Sequence, residues 1–294
     1  MKAFDNSTCF ARSGRPVRAA ILLLGLGILF GPGLGCVTVD KYGNPIDVEE
    51  DRPERKYTLA EMKPVPAWGE DDQKVPIVLA GIPEDPPLKF MLTDLPPVGN
   101  QGRQASGTAW AAGYTAATHN FRAHHQLKDY RCSPAYVYNQ LNSGEDNGVE
   151  ILDALKLLSA GGCPEFKRMP YAEKDYLRRP GPSAFLAAGN YVIKGYGRVD
   201  FTDINQVRAH LLQRRVVIAT MRITYNFIQL DERLWKSPAG PPVGRHTVAV
   251  VGYNHDTESV IIQNSAGEKW GDDGYAEVPY EWFIRLTGKA YVLW

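Results

Sequence analysis

The chain has 294 residues, of which 44% are hydrophobic and 11% aromatic, so it can form a complete core and is not a wholly disordered protein. Its 33 basic and 33 acidic residues give a formal net charge of zero, and no segment carries a basic stripe, which speaks against nucleic-acid binding. The same balance gives no reason to expect electrostatic attraction of a strongly charged ligand.

The first 36 residues have the pattern of an export signal. Basic residues precede an apolar segment, Ala19 to Phe30, which is too short to cross a bilayer as a helix. Small residues then lead to Cys36, as in a bacterial lipoprotein signal, although Gly33 stands where that pattern usually has leucine. We expect Cys36 to be lipidated, which would anchor the protein in the bacterial cell envelope, facing the periplasm or the cell surface. Ordinary cleavage nearby and an uncleaved anchor are the alternatives.

Residues 37–89 are rich in proline and charge, as in KPVPAWGEDDQK, and poor in periodic hydrophobic residues. This composition predicts an extended tether with little structure of its own. Such a tether would hold a folded domain, residues 90–294, away from the membrane.

Three helices are predicted at the start of the folded part. Residues 105–126 are alanine-rich with aromatic residues at helical spacing, which indicates a mostly buried helix. Ser133 as N-cap and Pro134 at the first helical position begin a second helix, residues 133–141. A third helix, residues 149–160, ends at a pair of glycines.

Strands and one further helix follow. Thr202 can cap a helix that runs to Arg215. The predicted strands cover residues 191–197, 216–223, 247–253, 259–263 and 274–279. Helices followed by strands in one continuous segment predict an α+β protein of two lobes with a cleft between them.

Cys132 and Cys163 are the two cysteines of the predicted domain. In an oxidising compartment they can form a disulfide, which contributes about 3–4 kcal/mol in the chain-entropy model. Two buried, unpaired thiols are the alternative, because spacing alone does not fix the geometry. Neither cysteine opens a helix as a reactive nucleophile would.

Three separated motifs carry the chemistry. QGRQASGTAWA contains Gln101 and opens a helix at Gly107, HTVAVVGY contains His246, and NSAGEKWGDDGY contains Asn264. A thiol peptidase needs a thiolate at a helix N-terminus, a histidine beside it, a group that orients the imidazole, and donors for the developing oxyanion. The chain can supply Gln101 as oxyanion donor, His246 as base and Asn264 as the orienting group. The sulfur is missing.

These motifs resemble those of papain-like cysteine peptidases (the C1 family) of the bacterial type, over roughly residues 90–294. Gapless alignment places Gly107 on the nucleophilic cysteine, and a shifted alignment places Ala109 there, so neither gives a thiol. The resemblance implies a papain-like fold with an N-terminal helical lobe and a C-terminal antiparallel β-sheet or barrel lobe. Two further departures are Ala266, where the family has a tryptophan that shields the Asn–His bond, and Gln104, where many members have a disulfide cysteine.

The motifs therefore predict a lipid-anchored, catalytically inactive pseudopeptidase whose cleft binds an extended peptide or protein segment. In a comparable triad, loss of the nucleophile costs about 10⁶ in kcat. The alternatives are a hydrolase that uses Ser106 or Thr108 with His246, and a structural envelope protein whose cleft has no role. Neither a metal nor a cofactor is expected, because HExxH, calcium-loop, P-loop and dinucleotide patterns do not occur.

Overall fold

The computed structural model describes residues 68–294 and, nearer the N-terminus, residues 38–39 and 45–46. The predicted signal sequence, the lipidation site at Cys36 and the tether up to residue 67 otherwise lie outside the described residues. Within the part that is described, no helix has both the length and the apolar character to cross a membrane.

The chain divides into two units, residues 1–55 and 56–294. In the first unit, strands β1 (Thr38–Val39) and β2 (Pro45–Ile46) pair in antiparallel register. The second unit contains all three motifs.

The second unit has helices in its first half and strands mainly in its second. Its described α-helices are α1 (Glu70–Lys74), α2 (Thr118–His125), α3 (Pro134–Leu141), α4 (Ile151–Ala160), α5 (Pro182–Ala188), α6 (Ile204–Leu212), α7 (Tyr225–Ile228) and α8 (Tyr280–Leu286). A π-helical segment, Ala109–Ala117, leads into α2, and a 3₁₀ turn, Phe166–Arg168, follows α4. Its described strands are β3 (Lys89–Met91), β4 (Tyr196–Arg198), β5 (Val217–Thr224), β6 (Pro242–Asn254), β7 (Ser259–Gln263), β8 (Tyr275–Pro279) and β9 (Thr287–Leu293).

Strands β3 to β9 form one antiparallel sheet. Its order is β4-β9-β5-β6-β7-β8, and β3 pairs with the end of β6. The predicted α+β class and the antiparallel sheet are confirmed. The barrel alternative is wrong, because the path from β4 to β8 remains open.

The buried helix predicted over residues 105–126 is helical from Gly107 to His125 and is called the central helix below. Every residue of its π-helical segment is buried, and the helix packs on α3, α4 and strands β5, β6 and β9. Small side chains allow this close approach. A Cβ at Gly113 would lie 3.0 Å from Val137 Cγ2 and 3.1 Å from Cys132 Sγ, so larger residues do not fit there.

The two helices that follow have the predicted start and end signals. Ser133 Oγ accepts a hydrogen bond from the backbone N–H of Tyr136 (3.1 Å), and Pro134 is the first residue of α3. Helix α4 ends at Gly161, whose N–H bonds to the carbonyl of Leu157. Local capping chemistry therefore fixed these boundaries to within two residues.

Two predicted boundaries were wrong. Residues 191–197 do not form a strand as a whole, because Tyr191 and Ile193 bond to backbone groups of the helical lobe and only β4 pairs with β9. The next helix is capped by Asp203, which accepts the N–H of Asn205 (2.9 Å), whereas the Thr202 hydroxyl donates to Asp200.

The described part of the predicted tether, residues 68–89, is ordered on the domain. Residues 76–78 exchange backbone hydrogen bonds with Arg198 at the edge of β4, and β3 pairs with β6. Trp68 packs edge-on against Tyr291, with ring centroids 5.6 Å apart. The prediction of an unstructured tether therefore fails for this part.

A buried ion cluster holds this segment in place. The amine of Lys289, in β9, lies 2.8 Å from the carboxylate of Asp72 in α1 and 2.7 Å from that of Glu150. Asp72 is 4% exposed and Lys289 7% exposed, so both charges are removed from water. Asp72 also accepts hydrogen bonds from the Tyr291 hydroxyl and the Gly69 N–H. Burial raises the pKa of Asp72, and these bonds outweigh burial, so the net shift is downward. The cluster links residues 68–89, through Asp72, to the helical lobe at Glu150 and to the sheet at Lys289.

Cys132 and Cys163 form a disulfide with an S–S distance of 1.99 Å and a Cα–Cα distance of 5.5 Å. The bond closes a separation of 31 residues and touches the central helix at Gly113. It thereby fixes the helix that carries the site to the rest of the helical lobe.

Candidate active site

The structure brings Gly107, Gln101, His246 and Asn264 together where the central helix meets the sheet. Gly107 begins the helix, His246 lies on β6, and Asn264 directly follows β7. A Cβ built at Gly107 would lie 3.0 Å from Cε1 and 3.2 Å from Nδ1 of His246. It would also lie 3.1 Å from Gln101 Oε1. The imidazole therefore directly faces the position that a side chain at residue 107 would occupy, and it would have to shift by a few tenths of an ångström to admit a Cβ.

The bond between His246 and Asn264 fixes the imidazole and its tautomer. His246 Nε2 lies 2.7 Å from Asn264 Oδ1, which also accepts the N–H of Ser265 (2.8 Å). Since Oδ1 can only accept, Nε2 carries the hydrogen, and Nδ1 presents a lone pair to Gly107 in the neutral ring. Burial lowers the pKa of His246, and the bond to Asn264 offsets only part of this, so the ring is neutral at pH 7.

This geometry coincides with a match over most of the chain. The sequence profile described as "Papain family cysteine protease" matches residues 91–282. The chain belongs to the papain family.

Two curated relatives show how distant the similarity is. A peptidase C1-like protein of Acanthamoeba polyphaga mimivirus is 23% identical over 200 residues, which cover 62% of this chain and 64% of the relative. Peptidase 1 of Dermatophagoides farinae is 25% identical over 201 residues, which cover 66% of this chain and 60% of the relative. The chain thus spans less than two thirds of the length of each.

Solved structures show the papain-like fold. Xylellain, a cysteine protease from Xylella fastidiosa, superposes with a TM-score of 0.69 at 25% identity, covering 78% of this chain and 94% of xylellain. A cysteine protease from Carica candamarcensis superposes with a TM-score of 0.59 at 21% identity, covering 70% of this chain and 98% of the other. The predicted papain-like architecture is therefore confirmed.

Gln101 is oriented differently from the oxyanion donor predicted for this papain-family chain. Its Nε2 donates to the carbonyl of Gln104 (2.8 Å), and its Oε1 accepts from Ser265 Oγ (2.6 Å). The opposite assignment of the amide would set two oxygens against each other at Gln104. The acceptor Oε1 of Gln101 thus lies near residue 107, while the amide N–H₂ group that would serve as oxyanion donor bonds to Gln104 instead.

The hydroxyls beside Gly107 have partners other than His246. Ser106 Oγ lies 2.8 Å from Tyr171 Oη, which donates to the carbonyl of Gln101 (2.7 Å). Thr108 Oγ1 lies 3.0 Å from Thr247 Oγ1. Ser106 is fully buried and Thr108 nearly so. Ala109, the alternative nucleophile position, offers only a buried methyl group.

Loss of the shielding tryptophan at Ala266 was expected to weaken the orientation of His246, but the geometry shows no such loss. Ala266 is exposed and offers no ring to cover the bond between His246 and Asn264, yet that bond is formed. Phe227, whose ring centroid lies 6.1 Å from that of His246, packs beside the imidazole. The Nε1–H of Trp270 donates to the carbonyl of Phe227 (2.6 Å) and fixes it. These contacts keep the imidazole in place without the tryptophan.

Sequence reasoning missed Tyr171 and Phe227. Both lie outside the three motifs, and no local pattern marks either of them. Gln104, at the position where many relatives have a disulfide cysteine, is buried and donates to the carbonyl of Glu173 (2.8 Å). Within residues 68–294, histidine, cysteine and acidic side chains nowhere form a group suited to a metal ion.

Proposed function

We propose that this papain-family chain, of the bacterial type, is catalytically inactive and that its cleft binds an extended peptide or protein segment. The main support for inactivity is the position of Gly107. Its missing side chain faces the Nδ1 lone pair of His246, which therefore has no thiol to deprotonate. In a comparable triad that lacks its nucleophile, the remaining rate acceleration over water is about 10³–10⁴, and it comes from substrate binding and the oxyanion donors.

The orientation of Gln101 lowers that residual acceleration further. Removing one oxyanion donor costs about 10²–10³ in kcat in a comparable site. Here the Gln101 amide is bonded within its own turn, and its oxygen faces the reacting position. Two independent parts of the catalytic apparatus are thus absent or reversed.

Binding does not depend on the missing sulfur. Extended segments bind in grooves through main-chain hydrogen bonds and side-chain pockets. The disulfide fixes the central helix within the helical lobe, and the Lys289 cluster links that lobe to the sheet. The groove can therefore remain rigid while turnover is lost.

A hydrolase that uses Ser106 or Thr108 is the competing function. Either hydroxyl would have to leave its present partner, Tyr171 or Thr247, and turn toward His246. Side chains at neighbouring helical positions point about 100° apart, so this requires a rearranged backbone. The arrangement of both hydroxyls supports the inactive alternative.

Turnover and binding can be tested on the full chain. We expect fluorogenic peptides to remain uncleaved by both the wild-type protein and a His246→Ala variant. Peptides selected by wild-type binding to a random decapeptide array should protect the introduced thiol of a Gly107→Cys variant against iodoacetamide. Protection would locate binding in the cleft.

Each outcome separates one of the alternatives. Cleavage that disappears in His246→Ala would establish a hydrolase and refute the inactive function. Binding without protection of the thiol would place the peptide elsewhere on the surface. Absence of any peptide binding would favour a structural protein whose cleft has no role.

We also propose that the protein is a lipoprotein of the bacterial envelope, on the basis of the apolar segment Ala19 to Phe30 and the small residues that lead from it to Cys36. Mass spectrometry of the chain from bacterial membranes is expected to find a mature N-terminus at Cys36 that carries acyl chains. A Cys36→Ala variant should lack this modification, whereas Cys9→Ala should retain it. An unmodified Cys36 in the wild-type protein would contradict the proposal.

A further inference from the structure

Two arginines lie opposite each other beside the candidate site. Arg222 on β5 pairs in register with Arg245 on β6, and His246 is the next residue along β6. Both arginines are exposed. Like charges directly opposite each other on neighbouring strands are unfavourable.

The pair, called the arginine surface below, continues the sheet face that the central helix covers. Residues two apart on a strand share a face, so Arg222 and Arg245 lie on the same side as Thr220 and Thr247. Thr247 contacts Thr108 of the central helix, which places this face toward the helical lobe. The central helix begins at Gly107. The next pair of residues on this face beyond Thr220 and Thr247 is Arg222 and Arg245, and both are exposed. The arginine surface therefore continues, without cover, the sheet face against which the central helix packs.

The charges around this surface are partly accounted for. Arg222 Nη2 donates to the carbonyl of Arg285 (3.0 Å), which positions its guanidinium, and Arg285 pairs with Glu281 (3.3 Å). Lys289, further along the same face, is neutralised by the buried cluster. The side chain of Arg245 makes no hydrogen bond or ion pair with any described residue. A chain of zero net charge thus places an unpaired cation next to its candidate site.

We propose that the segment bound in the cleft is acidic and that its Asp or Glu side chains bind Arg222 and Arg245. The planar guanidinium binds carboxylates through two parallel hydrogen bonds, and such charge-assisted bonds are strong. Val243, two residues before Arg245, is 49% exposed and offers an apolar contact beside the cations. The inference rests on the proposed binding function and adds the chemical class of its ligand. The zero net charge of the chain gave no reason to expect a charged ligand, so this inference depends on the local arrangement of the two arginines.

Matched peptides test this inference on the full chain. The probes are N-acetylated, C-amidated decapeptides in pairs that differ only by Glu or Gln at one position, so that terminal carboxylates play no part. Fluorescence anisotropy should show that the wild-type protein binds the Glu member about tenfold more tightly at low salt. The preference should shrink as salt is raised, since both partners are charged and exposed.

Variants assign the preference to the two arginines. The Arg222→Gln/Arg245→Gln variant should bind the Glu and Gln members of each pair equally. The charge-reversed variant Arg222→Glu/Arg245→Glu should instead prefer a peptide that carries Lys at the varied position. Arg178→Gln, which changes an exposed arginine of the helical lobe, should keep the wild-type preference. Circular dichroism confirms that each variant folds.

Four results would overturn the inference. Binding without a preference for Glu would refute it and leave the proposed function intact, whereas absence of all peptide binding would refute both. A preference that survives in Arg222→Gln/Arg245→Gln would place the acidic segment elsewhere. A variant in which Asp47, Glu49, Glu50 and Asp51 are neutralised tests the chain's own N-terminal segment as the ligand. If that variant bound Glu peptides more tightly than the wild type, these acidic residues would be competing for the arginine surface, and the surface would belong to them instead of a partner.

Discussion

A Gly107→Cys variant is expected to carry the most reactive thiol in the chain. The new sulfur would lie at a helix N-terminus and face the Nδ1 lone pair of His246, and both features favour the thiolate. The imidazole must retreat by a few tenths of an ångström, since the Cβ would lie 3.0 Å from its Cε1. A thiolate–imidazolium pair then replaces the neutral ring.

The rate of alkylation measures this effect. With a thiol pKa of about 5, the thiolate fraction at pH 6 is roughly 300 times that of an ordinary thiol with a pKa of about 8.5. Lower intrinsic nucleophilicity removes roughly 30-fold, so iodoacetamide should react about tenfold faster than with a Lys128→Cys reference variant. The advantage should vanish at about pH 7, where the roughly 30-fold lower nucleophilicity offsets the larger thiolate fraction, and reverse above that pH. It should grow as the pH falls from about 7 to 6, because only the reference thiol loses thiolate in that range.

Two controls make the result interpretable. The wild-type protein gives the background from Cys9 and Cys36, since Cys132 and Cys163 are bridged and buried. Gly107→Cys/His246→Ala should lose most of the advantage. Equal, slow alkylation of the introduced and reference thiols would show that residue 107 is not the nucleophile position. Hydrolysis should remain poor even in the reactive variant, because Gln101 presents its oxygen to the site.

A Lys289→Met variant is expected to lose about 3–5 kcal/mol of unfolding free energy, the usual range when one partner of a buried ion pair is removed. The loss falls on Asp72, which remains 4% exposed without a cation. Glu150 contributes little, since its side chain is 54% exposed and water can solvate it. Urea denaturation monitored by tryptophan fluorescence measures the change.

The chain offers a matched control for Lys289. Lys74 lies 2.8 Å from Asp71, the same distance as in the buried pair, but the two side chains are 74% and 64% exposed. Lys74→Met should therefore cost less than about 1 kcal/mol. An Asp72→Asn/Lys289→Met variant should recover part of the stability by removing the orphaned charge. If Lys289→Met and Lys74→Met had equal effects, the buried cluster would not be what holds residues 68–89 on the domain.

Features of the fold and the site that depend on residues close together in the chain could be predicted from the sequence. His246 and Asn264 were predictable because each lies in a contiguous motif whose neighbours form the surrounding strands. The start of α3 was predictable because its cap is local. These features depend on residues a few positions apart.

Other features depend on distant partners. The orientation of Gln101 is set by Ser265, which is 164 residues further along the chain. Asp72 appeared to belong to a solvated acidic run, yet its partner Tyr291 lies 219 residues away. No local pattern could reveal either contact. The open edge of the sheet was also unpredictable, because strand patterns do not specify whether the edge strands meet.

The close approach of His246 to the empty side of Gly107 has a consequence for catalysis. Restoring the cysteine by one amino-acid change would displace the imidazole and leave the Gln101 amide turned the wrong way. Efficient proteolysis would therefore require a change in the orientation of Gln101 in addition to a cysteine at residue 107. For the proposed inactive protein, this means that a single substitution at residue 107 would yield a reactive thiol without an efficient protease.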